Sequence, residues 1–393
     1  MINILENKKN KILIYFLLVL LIGVFLRVIL AQLKWNMDTH AAYFVLNNFE
    51  IRDLYKSQYN YTPIWYYVLL FLNNLSDYFY LEDLIIKTLK LCEPCGPPVA
   101  EWGFYEDVYP LRIKMLSFLF IFDLLTFLAL FKFFNIKVAA VFFLNPIAMI
   151  ISANHGQIDN WVMFFVLISI ILFTQKQKKF SKIFSSVFLG LSLTIKHIFI
   201  FFPFWIYFKE KNNLNKLLLP VLIYFIFILS FSFYILTDFE NVIKNMFLYK
   251  SFNNYPLYSF FGLRSILGSK APFYIFFLIM MLLGYLFRKK SYPELICIYS
   301  IAIIAFSSAI ANQYLTICSV AIALNYKNIF FKLYIFFGTL FLFNNADGLN
   351  LLHLNWMSKI INYDLLAFLL FLGLIRMITN PEKSFTKKIY NLS

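Results

Sequence analysis

Polar and ionisable side chains stand out in this chain because most of their neighbours are apolar. Asp38 and His40 occur in KWNMDTH, and His155, Gln157 and Asp159 interrupt NPIAMIISANHGQIDNW. The other residues of interest are Arg112, Asp123, Lys196, His197, Lys250, Arg264, Gln313 and Tyr314. Carboxylates can accept protons, basic groups can bind phosphate, and amides, hydroxyls and imidazoles can hydrogen-bond polar substrates.

Each of these residues also has a structural explanation without chemistry. Asp38 fits a solvated loop acid or a helix start as well as a catalytic group, and His155 fits a helix cap as well as a ligand contact. Asp159 suits the N-cap of a helix that begins at the next residue. Lys196 could extend toward the membrane surface, and Arg264 could contact lipid headgroups.

The composition identifies the solvent of this protein. Of the 393 residues, 61% are hydrophobic and 14% are charged, with 50 Phe and 26 Tyr, and the mean hydropathy is +0.73. Ordinary soluble domains are about 45–50% apolar and about 25% charged. These values exclude a disordered chain and a soluble globular domain, and they disfavour nucleic-acid binding despite a net charge of +15. Lipid must therefore surround much of the chain.

Apolar runs predict an all-α polytopic membrane protein. A bilayer core of about 30 Å needs about 20 apolar residues per helix. About twelve spans (10–13) are predicted, near residues 12–33, 110–131, 138–153, 159–174, 183–195, 197–208, 217–236, 271–287, 294–310, 313–325, 330–344 and 361–377. No small-residue cleavage pattern follows the first run, so we interpret it as a retained helix rather than a signal peptide.

Basic residues predict the orientation of these spans. With a cytoplasmic N-terminus, 21 of the 35 basic residues fall in inner segments, and the C-terminus is also cytoplasmic. All the residues of interest except Asp123 then lie at outer helix ends or in outer loops. This convergence predicts a pocket with a polar mouth on the non-cytoplasmic face. Asp123 lies inside the second span, and we favour a hydrogen bond between helices over catalysis for it.

Two long outer segments interrupt the predicted spans. The segments 34–109 and 237–270 are too polar to cross a membrane, and the run 64–72 suits a helix that lies in the membrane interface. Cys92 and Cys95 form a lone CEPC pair in the first segment. Because such a pair supplies only two of the four ligands of a structural zinc site, a local disulfide or two free thiols is the favoured interpretation.

Five segments resemble the GT-C class of integral-membrane glycosyltransferases, which use polyprenyl- or dolichyl-phosphate sugars as donors. Asp38 corresponds to the acidic residue of that class's first outer loop. The other segments are YNYTPIWYYVLL, LRIKMLSFLFIFDLL, NPIAMIISANHGQIDNW and LGLSLTIKHIFIFFPFW. The likeness is nearest to the dolichyl-phosphate-glucose-dependent glucosyltransferases and their prokaryotic relatives, and it covers about residues 30–210. QYL in IANQYL is similar to the Gln-Tyr of GPI mannosyltransferases. The family's HGHFQ is HGQID here, with Asp159 in place of Gln.

The resemblance implies a GT-C fold and an inverting transfer of a hexose from a polyprenyl-phosphate carrier to an acceptor hydroxyl. Residues 1–270 would form the catalytic module with both outer segments, and 271–393 the more variable C-terminal helices, with no soluble domain. Asp38 would be the catalytic base. The donor phosphate would be bound by Lys196, Arg264, Lys250 and Arg112. Sugar or acceptor would be bound by His40, His155, Gln157, Asp159, His197, Gln313 and Tyr314.

No metal or other cofactor is expected, because a lipid phosphate already carries its charge and leaves readily. The expected partners are the lipid-linked donor, a glycan or glycolipid acceptor and membrane lipids, but not nucleic acid. The protein would lie in the plasma membrane of a prokaryote or the endoplasmic reticulum of a eukaryote. A lipid-glycan flippase or transporter, and an O-antigen-type ligase or polymerase, are the alternatives. The first would carry charges at mid-membrane depth, and the second would have a large outer loop late in the chain.

Overall fold

The computed structural model describes residues 2–33, 38–57, 59–75, 105–174, 180–247, 255–263, 271–345 and 347–379. Within these ranges the chain is helical or irregular and contains no β-strand. The α-helices are α1 (Ile2–Gln32), α2 (Asp38–Asn48), α3 (Pro63–Asn74), α4 (Tyr105–Phe133), α5 (Ile136–Phe143), α6 (Pro146–Ala153), α7 (Asp159–Thr174), α8 (Ser181–Ile195), α9 (Phe202–Lys209), α10 (Asn213–Ser230), α11 (Ser232–Thr237), α12 (Phe239–Val242), α13 (Pro256–Phe260), α14 (Ala271–Leu286), α15 (Tyr292–Ala305), α16 (Ser319–Leu324), α17 (Ile329–Asn344), α18 (Asn355–Ile360) and α19 (Tyr363–Thr379). Shorter turns of 3₁₀-helix cover Ile51–Ser57, His197–Phe199 and Asn312–Thr316, and Ile243–Phe247 form a π-helix.

Three described helices are long and apolar enough to cross a bilayer. They contain the stretches Asn10–Gln32 of α1, Val108–Phe133 of α4 and Asn213–Ser230 of α10. α5 and α6 meet at a bend of 51°. If the two helices together form one broken span, they add a fourth crossing. The all-α membrane class predicted from the sequence is therefore supported.

The predicted number of about twelve spans is not established by these helices. Six other apolar helices among the described residues are 10–17 residues long, which is shorter than a full crossing. The physical reason is that hydropathy measures how long an apolar run is, whereas polar residues and prolines inside a run break the helix. The predicted span 138–153 is broken in this way, because Asn145 caps α6 through the amide of Ile147, and Pro146 occupies the first turn.

Large apolar side chains cover the outside of the bundle. Leu21 and Phe25 of α1 are 65% and 64% exposed, and Leu214 and Val221 of α10 are 69% and 63% exposed. An apolar surface of this kind is unfavourable in water and is expected where lipid is the solvent.

The core lies around α7, which packs against α4, α8 and α15. Because α7 is apolar on every side and is buried along most of its length, it suits the centre of a bundle rather than its surface. α3 packs against α4 and α8. Its Trp65, Tyr66 and Leu69 side chains are buried, whereas Phe71 is 62% exposed. The helix predicted for 64–72 is thus present.

Candidate active site

Several helix ends meet at one end of the bundle. The Asn154 amide, just after α6, donates to the Leu30 carbonyl near the end of α1 at 2.8 Å. Thr62, which precedes α3, donates to the Ile195 carbonyl at the end of α8 at 2.8 Å. Six predicted site residues lie in this region, and we call them the end cluster: Arg112, His155, Gln157, Asp159, Lys196 and Tyr314.

A buried ion pair forms the centre of the end cluster. The Lys196 ammonium donates to both carboxylate oxygens of Asp159, at 2.8 and 2.9 Å, and it lies 4.8 Å from the centre of the Tyr314 ring. The Asp159 side chain is fully buried, and that of Lys196 is 10% exposed. Lys196 therefore points into the protein rather than toward the membrane surface. Asp159 is itself the first residue of α7, where a negative charge is favourable, and both of its oxygens are committed to Lys196.

The segment 154–158 contributes two further polar groups. The Tyr61 hydroxyl donates to Gln157 Oε1 at 3.2 Å. His155 is 1% exposed, and its Nε2 atom has no hydrogen-bond partner within the described ranges. Burial, together with the nearby charge of Arg112, lowers the pKa of His155 to about 3. His155 is therefore neutral near pH 7, with a nitrogen that can bond a ligand.

Gly156 gives the segment 154–158 a left-handed backbone turn beside α2. Its φ of +70° is a backbone conformation that favours glycine, and a Cβ there would lie 3.8 Å from Thr39 Oγ1. Thr39 is buried and accepts from Arg112 Nη1 at 3.4 Å, while Arg112 Nη2 donates to the Ala31 carbonyl at 3.4 Å. The first turn of α2 is thereby held against the end cluster.

The remaining predicted site residues lie around this cluster or outside the described part. Asp38 is the first residue of α2, next to Thr39. The structure describes its backbone but not its side chain. His40 is partly buried in the same turn, and His197 follows Lys196 in the chain. Gln313 is partly buried beside Tyr314 in the 3₁₀ turn. The residues outside the described ranges are Lys250, Arg264, Cys92 and Cys95.

A second polar network lies deeper, between the candidate spans α1 and α4. Arg27 Nε donates to Asp123 Oδ2 at 2.9 Å, and the same carboxylate accepts from Ser152 at 2.6 Å and from Asn160 at 2.7 Å. Thr316 donates to Asn160 at 2.7 Å. These contacts agree with the structural interpretation of Asp123.

The sequence does not single out four residues of this network, which are Arg27, Ser152, Asn160 and Thr316. For Arg27 the signal exists, since an arginine within the apolar run 12–33 is costly. For the three small polar residues no such signal exists, because Ser, Asn and Thr are ordinary in membrane helices.

The opposite end of the bundle is formed by basic residues around the carboxylate of Glu210. The Lys182 ammonium, at the start of α8, donates to both oxygens of Glu210 at 2.8 and 3.0 Å. The Tyr292 hydroxyl donates to the same carboxylate, and Lys209 donates to the Arg288 carbonyl at 3.4 Å. α8 thus runs from a basic end to the end cluster, a distance of about 22 Å at 1.5 Å per residue.

The end cluster has the groups that recognition of a polar anion needs. It combines two cations, one carboxylate paired to Lys196, a neutral imidazole, an amide and a phenol. Among the described residues, no three His, Cys, Asp or Glu side chains lie together in a way that could hold a metal ion.

Comparison with protein-family models, with curated proteins and with solved structures finds no match for this chain. Membership of the GT-C class is therefore a proposal that rests on the motifs of the sequence and the geometry of the end cluster.

Proposed function

We propose that this protein is a GT-C-type glycosyltransferase with about twelve spans. It moves a hexose from a polyprenyl-phosphate carrier to an acceptor hydroxyl, with inversion at the anomeric carbon. One observation carries the proposal: the six residues of the end cluster, spread along the chain from Arg112 to Tyr314, lie together at one end of a lipid-facing bundle.

The proposed reaction needs a base for the acceptor hydroxyl. Asp159 is poorly suited, because both of its oxygens accept hydrogen bonds from Lys196. Asp123 is also poorly suited, since Arg27, Ser152 and Asn160 occupy its carboxylate. We therefore assign the base to Asp38, whose backbone begins the helix turn that contacts Arg112.

The leaving lipid phosphate needs cationic donors. An ammonium has three N–H donors, of which Lys196 uses two on Asp159, and Arg112 offers a planar guanidinium from α4. Lys250 and Arg264 are the further proposed phosphate ligands. The sugar and acceptor would be bound by the neutral groups, with His155 Nε2 as an acceptor or donor according to its tautomer and Gln157 held by Tyr61. The remaining proposed sugar or acceptor ligands are His40, Asp159, His197, Gln313 and Tyr314.

The proposal places the end cluster on the non-cytoplasmic side, with both termini in the cytoplasm. The support is the distribution of basic residues in the sequence, together with the contacts of Lys182 and Lys209 at the opposite end of α8. The membrane would be the plasma membrane of a prokaryote or the endoplasmic reticulum of a eukaryote. The lipid-linked donor would reach the site from the outer leaflet, and the acceptor would be a lipid-linked glycan or a cell-surface polymer.

Purified protein supplied with a panel of polyprenyl-phosphate sugars tests the proposal through release of the lipid phosphate. We expect transfer by the wild type and loss of transfer in Asp38→Asn, with an unchanged melting temperature. Asp53→Asn is the matched control, because Asp53 lies in the 3₁₀ turn after α2 and pairs with Lys56. Full activity of Asp38→Asn would exclude this base, and transfer from a nucleotide sugar alone would exclude the donor class.

Lipid-glycan transport is a second candidate, favoured by two observations. A charged pair, Arg27 and Asp123, lies within candidate spans, and α5 and α6 form a broken pair with a bend of 51°; both features are common in transporters. Movement of a fluorescent polyprenyl-linked glycan across proteoliposomes, without sugar transfer, would support this function over the enzyme.

A further inference from the structure

A cavity of about 410 Å³ lies between the end of α17, the loop that follows it and α18. Its volume falls within the range of roughly 300–1,000 Å³ that is usual for small-molecule sites. Amide, imidazole and hydroxyl side chains contribute to its lining, from Asn345, Asn350, His353, Asn355 and Ser358. We call it the asparagine cavity, and it shares no residue with the end cluster.

The shape of the asparagine cavity is fixed by Asn344, the last residue of α17. Its side-chain amide donates to the Leu354 carbonyl at 3.0 Å and to Ser358 Oγ at 2.7 Å, and its carbonyl oxygen accepts from the Leu354 amide at 2.6 Å. The Leu349 amide also donates to the Leu342 carbonyl at 2.8 Å. These bonds tie the loop and α18 to α17, so that the walls of the cavity are in place before a ligand binds, which lowers the cost of binding.

Two residues of this loop hold an unusual backbone conformation. Asn350 and His353 have φ values of 51° and 50°, in the left-handed region that residues other than glycine rarely adopt. Such conformations are common at ligand-binding sites, where the surrounding structure maintains them. Both residues line the cavity. The loop thus keeps an otherwise unfavourable conformation that places both side chains at the cavity.

Several hydrogen-bonding groups of the cavity are not used by the protein itself. Among the described residues, the side chains of Asn350, His353 and Asn355 have no hydrogen-bond partner. The Ser358 oxygen accepts from Asn344, and its O–H group is still available as a donor. A side-chain amide offers two N–H donors next to a carbonyl acceptor. Because neighbouring hydroxyls of a sugar ring each donate and accept, one amide can bond two of them together.

The charge of the cavity lining favours a neutral ligand. Among the described residues that line it, none is Lys, Arg, Asp or Glu. A phosphate or carboxylate is usually bound by basic side chains, and Ca²⁺ or Mg²⁺ by carboxylates. Phe341, Leu354 and Ile361 add apolar surface to the lining, which suits the C–H groups on the face of a pyranose ring. This combination fits an uncharged sugar.

The asparagine cavity adjoins the end cluster through Tyr363. The Phe341 ring centre lies 4.8 Å from the Tyr363 ring centre, and the Tyr363 hydroxyl donates to Asn312 at 2.7 Å. Asn312 begins the 3₁₀ turn that contains Tyr314, and the Tyr314 ring lies against Lys196 of the end cluster. The cavity and the end cluster are therefore neighbours at the same end of the bundle.

We propose that the asparagine cavity binds uncharged pyranose residues of the acceptor, with the amides of Asn350 and Asn355 bonding their hydroxyls. That the bound sugar belongs to the acceptor rests on the proposed sugar transfer. In that reaction the end cluster holds the donor phosphate, and the cavity holds a sugar of the acceptor other than the one that reacts. The acceptor is then an uncharged oligosaccharide chain rather than a protein hydroxyl or an acidic polymer.

Saturation-transfer NMR on the purified protein, in nanodiscs free of sugar-containing detergent, tests the binding without any donor. The probes are neutral trisaccharides of glucose, mannose, galactose or N-acetylglucosamine, and trigalacturonate is their charged counterpart. We expect the protein to bind at least one neutral trisaccharide more tightly than trigalacturonate. Absence of binding to every neutral probe would overturn the proposal, as would equal or tighter binding of trigalacturonate.

The variant Asn350→Gly/Asn355→Ala removes both amides, and glycine suits the left-handed backbone at position 350. We expect it to weaken trisaccharide binding by about 30-fold, the effect of losing two hydrogen-bonding amides. Asn47→Ala/Asn48→Ala is the matched control, because it removes two exposed amides of α2 that lie outside the cavity, and it should bind as the wild type does. Wild-type affinity in the cavity variant would exclude this cavity as the site.

Addition of the panel of polyprenyl-phosphate sugars to the same proteins separates this proposal from the proposed function. We expect the bound trisaccharide to accept the sugar, and the cavity variant to raise its KM by about 30-fold, with kcat and the KM of the donor unchanged. A raised KM for the donor instead would place the two amides in the donor site and overturn the proposal. Trisaccharide binding without release of lipid phosphate would exclude the proposed transfer but not the sugar site.

Discussion

The Lys196–Asp159 pair is the most constrained contact of the end cluster. Both charged groups are removed from solvent, so each needs the opposite charge of the other to offset the cost of its burial. Removing only one partner leaves an uncompensated charge, whereas replacing both with neutral groups removes the cost.

We predict that Asp159→Asn lowers the free energy of unfolding by about 3–5 kcal/mol. The double variant Asp159→Asn/Lys196→Met should recover most of this loss, because no buried charge remains. Unfolding in mixed detergent and denaturant measures both values. If the double variant is as unstable as the sum of the two single variants, the two groups do not act as a pair.

His155 gives the end cluster a defined pH dependence. Its folded pKa of about 3 lies below the value of about 6.5 expected for the unfolded chain. Between these values the unfolded state binds one more proton, so His155 destabilises the fold as the pH falls below about 6.5. The slope approaches about 1.4 kcal/mol per pH unit near pH 5.

We predict that His155→Gln removes this slope from the pH dependence of the unfolding free energy. His353→Gln is the control, because His353 is exposed and its replacement should leave the slope as in wild type. Unfolding measured between pH 5 and 7 tests both variants. A wild-type slope in His155→Gln would contradict a buried, neutral imidazole.

At the scale of elements, α8 and α10 approach each other closely at Gly190. A Cβ at this glycine would lie 2.9 Å from Ile226 Cβ, an atom fixed to the backbone of α10. The helices therefore cannot accept a methyl group at this position without moving apart. Since Lys196 directly follows α8, such a movement would also shift the end cluster.

We predict that Gly190→Ala destabilises the protein by about 1–3 kcal/mol through overpacking, although alanine is the better helix former by about 1 kcal/mol. Ser186→Ala, one turn earlier on α8, is the control. Ser186 is buried with a hydroxyl that has no partner among the described residues, so its replacement should be neutral or stabilising. A wild-type melting temperature for Gly190→Ala would show that α8 and α10 separate easily.

The elements were predictable where hydrophobicity alone decides, and less so where helices break. α1, α4 and α10 follow from their apolar runs. The break at Lys196 was visible as a charged residue inside such a run. The break at Asn145 is not visible in the hydropathy, which averages over Asn145, the N-cap of α6, and Pro146 in its first turn.

For the whole molecule, the proposed orientation of the bundle in the membrane has the largest consequence for function. α18 lies at the same end as the end cluster. Asn344 donates to Ser358 at 2.7 Å, and Tyr363 donates to Asn312, two residues before Tyr314, at 2.7 Å. Lys211 follows Glu210 at the basic end and is exposed.

We predict that Trp356→Cys reacts with a membrane-impermeant maleimide in intact cells, whereas Lys211→Cys reacts only after permeabilisation. Trp356 is 60% exposed, and the background would carry Cys92→Ser and Cys95→Ser, since Cys297 and Cys318 are buried. The reverse pattern would place the end cluster in the cytoplasm and exclude the proposed outer-leaflet donor.

The residues of the site were predictable by type, whereas their partners were not. Lys196 and Asp159 each stood out as charges among apolar neighbours. Their pairing, however, depends on how α7 and α8 pack, which no local pattern reports. Arg27 and Asp123 are 96 residues apart, and their pairing likewise required the folded bundle.

The two anchored ends of α8 have a consequence for its length. Lys182 bonds Glu210 at one end, and Lys196 bonds Asp159 just beyond the other. Inserting or deleting a single residue between them would rotate one anchor by about 100° and shift it by about 1.5 Å relative to the other. Both ion pairs could not then form together. α8 can accept substitutions along its outer side, but its residue count is fixed by the two pairs, so insertions and deletions should be absent from this helix in related sequences.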